Sequence, residues 1–320
     1  MRFAIVAHRA GETNVGLVSR RWQRFDPLLL SPVEALARLG PGDAALGRLD
    51  VRTTLDGVES GLASLSELTR RGISVLNPAG ALVSVHDKLV TARILRRAGL
   101  PHPVTRPVPP DRPPPDLDFP AVVKPRFGSW GKDVVVCTNR AELERALEEF
   151  ARRPWFRTHG AIAQELVPPL GHDLRIVVAG GEVIGAIKRV AAPGEWRTNV
   201  ALGASRLPLT PPPRACALAL EAARALGVDL VAVDLLPRGP GNYSVLEVNG
   251  AAEFSAEYAL GADVFQSAVD ALERSVVGER RRAVGPDERI GEEVVLAPDE
   301  LRRPVARILA EAPAALPGDP

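Results

Sequence analysis

At 320 residues, with 46% apolar and 25% charged residues and a net charge of +1, the chain has the make-up of an ordinary globular protein large enough for two or three lobes. That charge leaves no footprint for a nucleic-acid partner. No run approaches the roughly 20 apolar residues of a membrane span, and the apolar start is too short for a signal peptide. Two cysteines, Cys137 and Cys216, are too few for a disulfide scaffold and read as buried thiols of a reducing compartment, so a cytoplasmic location is expected.

Residues 3–7, 49–52 and 73–76 read as buried strands, with helical stretches such as 57–71 between them. This alternation predicts a small α/β lobe over residues 1–85. Residues 89–98 have helical periodicity, and Gly99 stands where a C-terminal cap falls. The proline-dense stretch 107–115 predicts an extended linker. Beyond it, strands 121–124 and 134–137 bracket a glycine-containing loop. A helix over 142–153 starts from Asn139, and a strand covers 161–167. Hairpins are predicted around Gly180-Gly181 and around residues 238–242, with a helix over 214–226 between them that Gly227 stops. Residues 264–276 close the globular part as a helix, followed by a charged, then proline-rich tail.

Two segments carry the chemistry. Lys124 ends an apolar strand, where it either meets an anion, as a ligand to nucleotide phosphates, or snorkels from a sheet edge. It runs into Gly128-Ser129-Trp130-Gly131-Lys132. Here two glycines let backbone N–H groups approach a polyphosphate while Ser129 and Lys132 add donors. In the second segment Glu247 and Asn249 are two apart on a strand and so share a face, and Asp234 on the neighbouring strand can face the same way. Two carboxylates and an amide suit Mg²⁺; the other reading is a solvated polar face, which the apolar flanks oppose. Between the two segments, the strand end at Glu165-Leu166 can offer backbone groups to a purine and Asp173 can accept from ribose hydroxyls. Arg175 can reach phosphate. Lys188, Arg189, Arg197 and Asn199 form a cluster rich in positive charge that reads equally as a structural ion-pair network. No histidine has metal-ligand spacing, and no serine sits in a nucleophile elbow.

In this order the pieces resemble the ATP-grasp superfamily, and within it the RimK-like amino-acid ligases. The matching segments are Leu76-Asn77-Pro78, Asp87-Lys88, Gly99-Leu100-Pro101, Val123-Lys124, residues 128–131, Gln164-Glu165-Leu166, residues 171–175, Arg197-Thr198-Asn199, Val233-Asp234 and Glu247-Val248-Asn249. The resemblance implies an α/β (α+β) ATP-grasp fold: an N-terminal lobe over 1–85, a central lobe over 86–167, a C-terminal lobe over 168–277 and an extension over 278–320. It implies Lys88 and Lys124 on nucleotide phosphates, Glu165 and Leu166 at adenine and Asp173 at ribose. It places Arg197, Thr198 and Asn199 at the γ-phosphate and acceptor, and Asp234, Glu247 and Asn249 on Mg²⁺ or Mn²⁺, two ions being expected. ATP is thus the expected nucleotide, and the substrate an amino acid joined to a peptide, an acidic carrier protein or a small molecule; a homo-oligomer stays open. Residues 128–131 and the pair Glu253-Phe254 are similar to the lysine/arginine-biosynthesis branch, whereas Gly250-Ala251-Ala252 replaces the small residue, Pro and Gly usual in the ribosomal-protein-modifying members.

The expected reaction is attack of a carboxylate on the γ-phosphate to give an acyl phosphate, then displacement by an amine. Arg175, Arg189 and Arg197 would stabilise the charge, and residues 128–133 would act as a lid against water. A kinase on the same scaffold and a non-catalytic nucleotide-binding module are the alternatives.

Overall fold

The computed structural model describes residues 1–111 and 116–284. The first unit runs β1 (Arg2–Val6), α1 (Glu12–Val18), β2 (Asp26–Leu30), α2 (Pro32–Arg38), β3 (Ala44–Gly47), α3 (Leu62–Arg70), β4 (Ser74–Leu76) and α4 (Ala79–His86). Its sheet is parallel in the order β2-β1-β3-β4. The strand expected at 49–52 is instead β3. Its Ala-Ala-Leu-Gly run is buried throughout, as a central parallel strand covered on both faces must be. Leu49 and Val51 are buried too, but in the loop that follows. The helix expected from residue 57 begins only at Leu62, because Gly57 (φ 133°) and Gly61 (φ 112°) take left-handed conformations that no helix accommodates. Strand β2 escaped the sequence reading; its Pro27 is tolerated because β2 is an edge.

The second unit comprises α5 (Lys88–Arg97), β5 (Thr105–Val108), β6 (Ala121–Pro125), β7 (Val135–Cys137), α6 (Arg140–Phe150), α7 (Pro154–His159) and β8 (Ala161–Glu165). They build an antiparallel sheet, β5-β8-β6-β7. Pro107, expected in a linker, lies inside edge strand β5; residues 112–115 of that linker are outside the described residues. Asn139 caps α6 as expected, accepting from the Glu142 N–H at 3.0 Å. Cys137 is buried, but Cys216 is only half-buried.

The third unit is a five-stranded antiparallel sheet, β11-β10-β9-β12-β13. It comprises β9 (His172–Ala179), β10 (Glu182–Val190), β11 (Ser205–Pro208), α8 (Pro213–Leu226), β12 (Leu230–Pro237), β13 (Tyr243–Asn249) and α9 (Val264–Val284). Both predicted hairpins are present. Gly180 (φ 52°) turns the first of them against α9 so closely that a Cβ would lie 2.4 Å from the Ala271 carbonyl oxygen. The small-residue face of α8 (Ala215, Ala219, Ala222) covers one face of the sheet, burying Leu174, Ile176 and Val233. On the other face Val177 and Ile187 pack into a core shared with α9 and the first sheet. Helix α9 continues to Val284, past the expected end at 276; the rest of the 278–320 extension lies outside the described residues.

Asn77 joins the first unit to the third. It is fully buried with φ 47°; its Oδ1 accepts from the N–H groups of Asp229 (2.7 Å) and Leu230 (3.2 Å), and its Nδ2 donates to the Leu230 carbonyl (2.8 Å). A second link involves the 250–254 loop. Glu253 accepts from the Thr13 N–H at 2.8 Å, and Phe254 is buried against Phe265. The Glu-Phe pair therefore braces the loop after β13 against α1.

Candidate active site

Between the second and third sheets opens a cleft of about 1000 Å³, part of it open to solvent. One wall is apolar: Val122, Leu166, Val167, Leu236 and Leu246. The other is charged.

The charged wall begins at α5. Asp87, fully buried, caps that helix by accepting from the Leu89 N–H at 3.1 Å and holds Arg126 through bonds of 2.7 and 2.6 Å. This ion pair ties the start of the glycine loop to the helix and brings Lys88 beside the end of β6, where its Nζ donates to the Gly128 carbonyl at 2.5 Å. Lys124, 6% exposed, donates to Gln164 Oε1 at 2.8 Å. Its nearest described acceptor is therefore neutral. Burial first, then the Lys88 charge, draws the ammonium down to about 8, with Glu247 opposing. Two cations thus line the cleft, and the buried one has no contacting carboxylate among the described residues.

Facing them is a row across the third sheet. The register sets Arg175 opposite Asp234 and Asp234 opposite Glu247, so all three share a face. Arg175 grips Asp234 with two bonds of 2.7 Å, and Arg189 adds a third at 2.9 Å. Burial pushes the Asp234 carboxyl up, but the two guanidiniums prevail and hold it at about 2. Glu247 is freer, with Lys88 at 3.8 Å and the Asn249 amide at 3.3 Å. The row thus splits into a neutralised buried pair and an available carboxylate next to the lysines.

The glycine loop crosses above. Trp130 (φ 61°), Gly131 (φ 69°) and Asp133 (φ 53°) are left-handed. A Cβ on Gly131 would stand 2.9 Å from Asn199 Oδ1, and its left-handed backbone favours glycine where the loop approaches the 195–202 segment. Arg197 donates to the Gly131 carbonyl at 3.1 Å while its other nitrogens grip Glu195 at 2.7 and 3.0 Å.

A family model described as a RimK-like ATP-grasp domain matches residues 86–272, which hold both walls of this cleft. The chain belongs to the RimK-like ATP-grasp family. Among curated relatives, a probable alpha-L-glutamate ligase of Pseudomonas aeruginosa PAO1 is 32% identical over 242 residues, 73% of this chain and 77% of that protein. Another, from Parasynechococcus marenigrum, is 33% identical over 235 residues, 71% of this chain; the chain spans about half, 49%, of that relative's length. Of solved structures, D-alanine–D-alanine ligase from Bacillus anthracis complexed with ATP superposes with a TM-score of 0.63 at 18% identity, covering 88% of this chain and 99% of that one. A RimK-domain ATP-grasp protein from Sphaerobacter thermophilus gives 0.59 at 22% identity, over 85% and 100%. These structural likenesses show the ATP-grasp fold.

Within that fold, most of the residues singled out from sequence line one cleft. Lys88, Lys124, Gly128, Ser129, Trp130, Gly131 and Lys132 do so from the lysine side. Glu165, Leu166, Arg189, Arg197, Thr198, Asn199, Asp234 and Glu247 complete it. Four do not. Asp173, the expected ribose acceptor, is fully buried beneath Arg189 and takes the Thr198 hydroxyl at 2.5 Å. Arg175 is spent on Asp234, and Asn249 stands behind Glu247. Lys188 pairs with Leu174, on the face that packs on α8; strand alternation puts it on the side opposite Arg189. Glu165 contributes to the rim, but its carboxylate turns to Arg238 at 2.8 Å. Sequence reasoning missed Asp87 and Arg126 as a pair, Glu195 as the anchor of Arg197, and His102. Gln164 was quoted in a motif without a role, although a polar residue in the apolar strand beside that of Lys124 was a usable signal.

Among the described residues no helix is long and apolar enough to cross a membrane, and no group of three or more His, Cys, Asp or Glu side chains is placed to hold an ion unaided.

Proposed function

We propose that the cleft joins a carboxylate to an amine at the expense of ATP, through an acyl phosphate, with an amino acid of the glutamate type as one substrate. The observation that carries this reading is the convergence of Lys88 and Lys124, one of them buried without a contacting carboxylate, on the same cleft as Glu247. The lysines bind phosphate oxygens; the apolar wall around Leu166 takes the purine. Glu247 is the hard-oxygen donor in the cleft that would hold a divalent cation, with Asn249 beside it on the strand, and the ion when bound neutralises phosphate charge. Arg189 and Arg197 line the cleft where an acyl phosphate needs positive charge. Asp234, which also lines the cleft and would face the same cation, is in addition the counter-charge that keeps Arg175 and Arg189 in place. The 128–133 loop, in contact with the 195–202 segment, excludes water that would hydrolyse the intermediate. Ligase names among the relatives support this reading, and glutamate is the first amino acid to try because those names specify it.

Screening purified protein with ATP, Mg²⁺, single amino acids and glutamate-ended peptides tests the proposal. ADP and phosphate release in step with a new amide, seen by mass spectrometry, is expected. A stable phosphorylated product without an amide would make the protein a kinase instead.

Lys124 adds a pH signature. Its folded value, about 8, lies below the ordinary 10.5, so between those values the unfolded chain binds more protons and stability rises with pH. Nucleotide binding needs the ammonium and shows the opposite trend. ATP affinity is expected to fall by roughly tenfold per pH unit above about 8, with proton uptake on binding detectable by titration calorimetry in buffers of different ionisation enthalpy. An affinity flat from pH 7 to about 10 would remove Lys124 from the phosphate site.

A further inference from the structure

The hydrogen bonds behind Lys124 run one way. Its ammonium donates to Gln164 Oε1 (2.8 Å); Gln164 Nε2 donates to the Thr105 hydroxyl (2.9 Å) and lies 3.3 Å from His102 Nε2. On the far side of the imidazole, Nδ1 lies 2.7 Å from the Val245 carbonyl of β13. A carbonyl only accepts, so Nδ1 carries the proton and Nε2 is left to accept from Gln164. Burial, the dominant cause, together with the Lys124 charge, draws His102 down to about 4, consistent with a neutral ring. The chain has one self-consistent direction, from the lysine through Gln164 and His102 to the backbone of the strand that bears Glu247 and Asn249.

The segment holding His102 is itself sewn to both sheets. Val245 N–H donates to the Pro101 carbonyl at 2.8 Å, so residues 101–102 run along the outer edge of β13; three residues later the chain enters β5, the edge of the second sheet. Gln164 is 3% exposed and Lys124 6%. Their contact is therefore not a surface accident.

From this geometry we propose that Gln164 and His102 are positioning residues that lock Lys124 to β13, fixing the spacing between the phosphate lysine and Glu247 across the two sheets. The inference rests on the reading of Lys124 as a phosphate ligand. Gln164 suits the task because its neutral oxygen orients the ammonium without neutralising it, which a carboxylate would do. The other charged or titratable groups that act on Lys124 are Lys88 from α5 and Glu247 from β13.

Gln164→Glu, nearly isosteric, turns the contact into an ion pair and sets a negative charge beside the ligand. ATP affinity is expected to fall by about tenfold or more, and the loss of affinity at high pH should move to higher pH because Lys124 is then held charged. His102→Phe keeps a planar ring but removes both nitrogens; it should weaken ATP binding by several-fold and raise the ATP KM more than it lowers kcat. Lys124→Met, measured alongside by calorimetry, separates the two claims. If Lys124→Met binds ATP poorly while Gln164→Glu and His102→Phe both bind as the unaltered protein does with the same pH profile, the positioning role is overturned. If Lys124→Met itself binds normally, the phosphate reading beneath it fails.

Discussion

Replacing Glu247 by glutamine is expected to leave the fold in place and to lower amide formation by on the order of 10²–10³-fold, the cost of removing one electrostatic partner from a phosphoryl-transfer site. The side chain is 21% exposed and its described contacts are long: Lys88 at 3.8 Å and the Asn249 amide at 3.3 Å. The folded state therefore leans on it little, and an amide of the same shape fits without strain. The functional role needs a hard anionic oxygen next to the lysines, which glutamine lacks. Steady-state turnover, with the thermal midpoint as control, decides the matter. A variant that keeps turnover within about threefold would take Glu247 out of the site.

Asp234→Asn, directly across the sheet, is expected to behave differently. Here the carboxylate is 1% exposed and shared by two guanidiniums. Removing its charge leaves the buried Arg189 with Asp173 as its one bonded carboxylate and takes from Arg175 the carboxylate it is bonded to. Breaking a buried pair in this way costs about 3–5 kcal/mol, or on the order of 10 °C in thermal midpoint for a protein of this size. Turnover is expected to fall as well, because Arg189, which lines the cleft, loses one of its two carboxylate anchors. An acid signature follows. The folded carboxyl titrates at about 2 rather than 3.8, so its stabilisation is complete above about pH 4 and is lost as pH falls toward 2; the asparagine variant lacks that dependence. A midpoint within about 2 °C of the unaltered protein would show that the arginine clamp contributes little.

These contrasting expectations for neighbouring carboxylates show what could and could not be read from the chain alone. The face shared by Asp234, Glu247 and Asn249 follows from strand alternation, and both hairpins follow from their glycine turns, so the row itself was legible. Its division of labour was not. Asp234 meets Arg175 because β9 lies between β10 and β12, a strand order that no local pattern encodes. Asp173 and Lys188 were misplaced for the related reason that burial beneath Arg189, or on the α8 face, is set by long-range register. In the first unit, β3 was displaced to residues 49–52 because buried loop residues Leu49 and Val51 mimic a strand pattern. The lysine pair illustrates the other limit. Each lysine was flagged, but the Asp87–Arg126 pair that brings Lys88 to Lys124 joins residues 39 apart in sequence.

The claim that a carboxylate is activated by phosphoryl transfer in this cleft is tested most directly by isotope transfer. Glutamate, or the glutamate-ended acceptor that proves active, is labelled with heavy oxygen in its reacting carboxylate and turned over with unlabelled ATP. An acyl phosphate requires one labelled oxygen to leave with the inorganic phosphate for each amide formed, which mass spectrometry of the phosphate reads out. Phosphate free of the label, while the amide accumulates, would contradict the account.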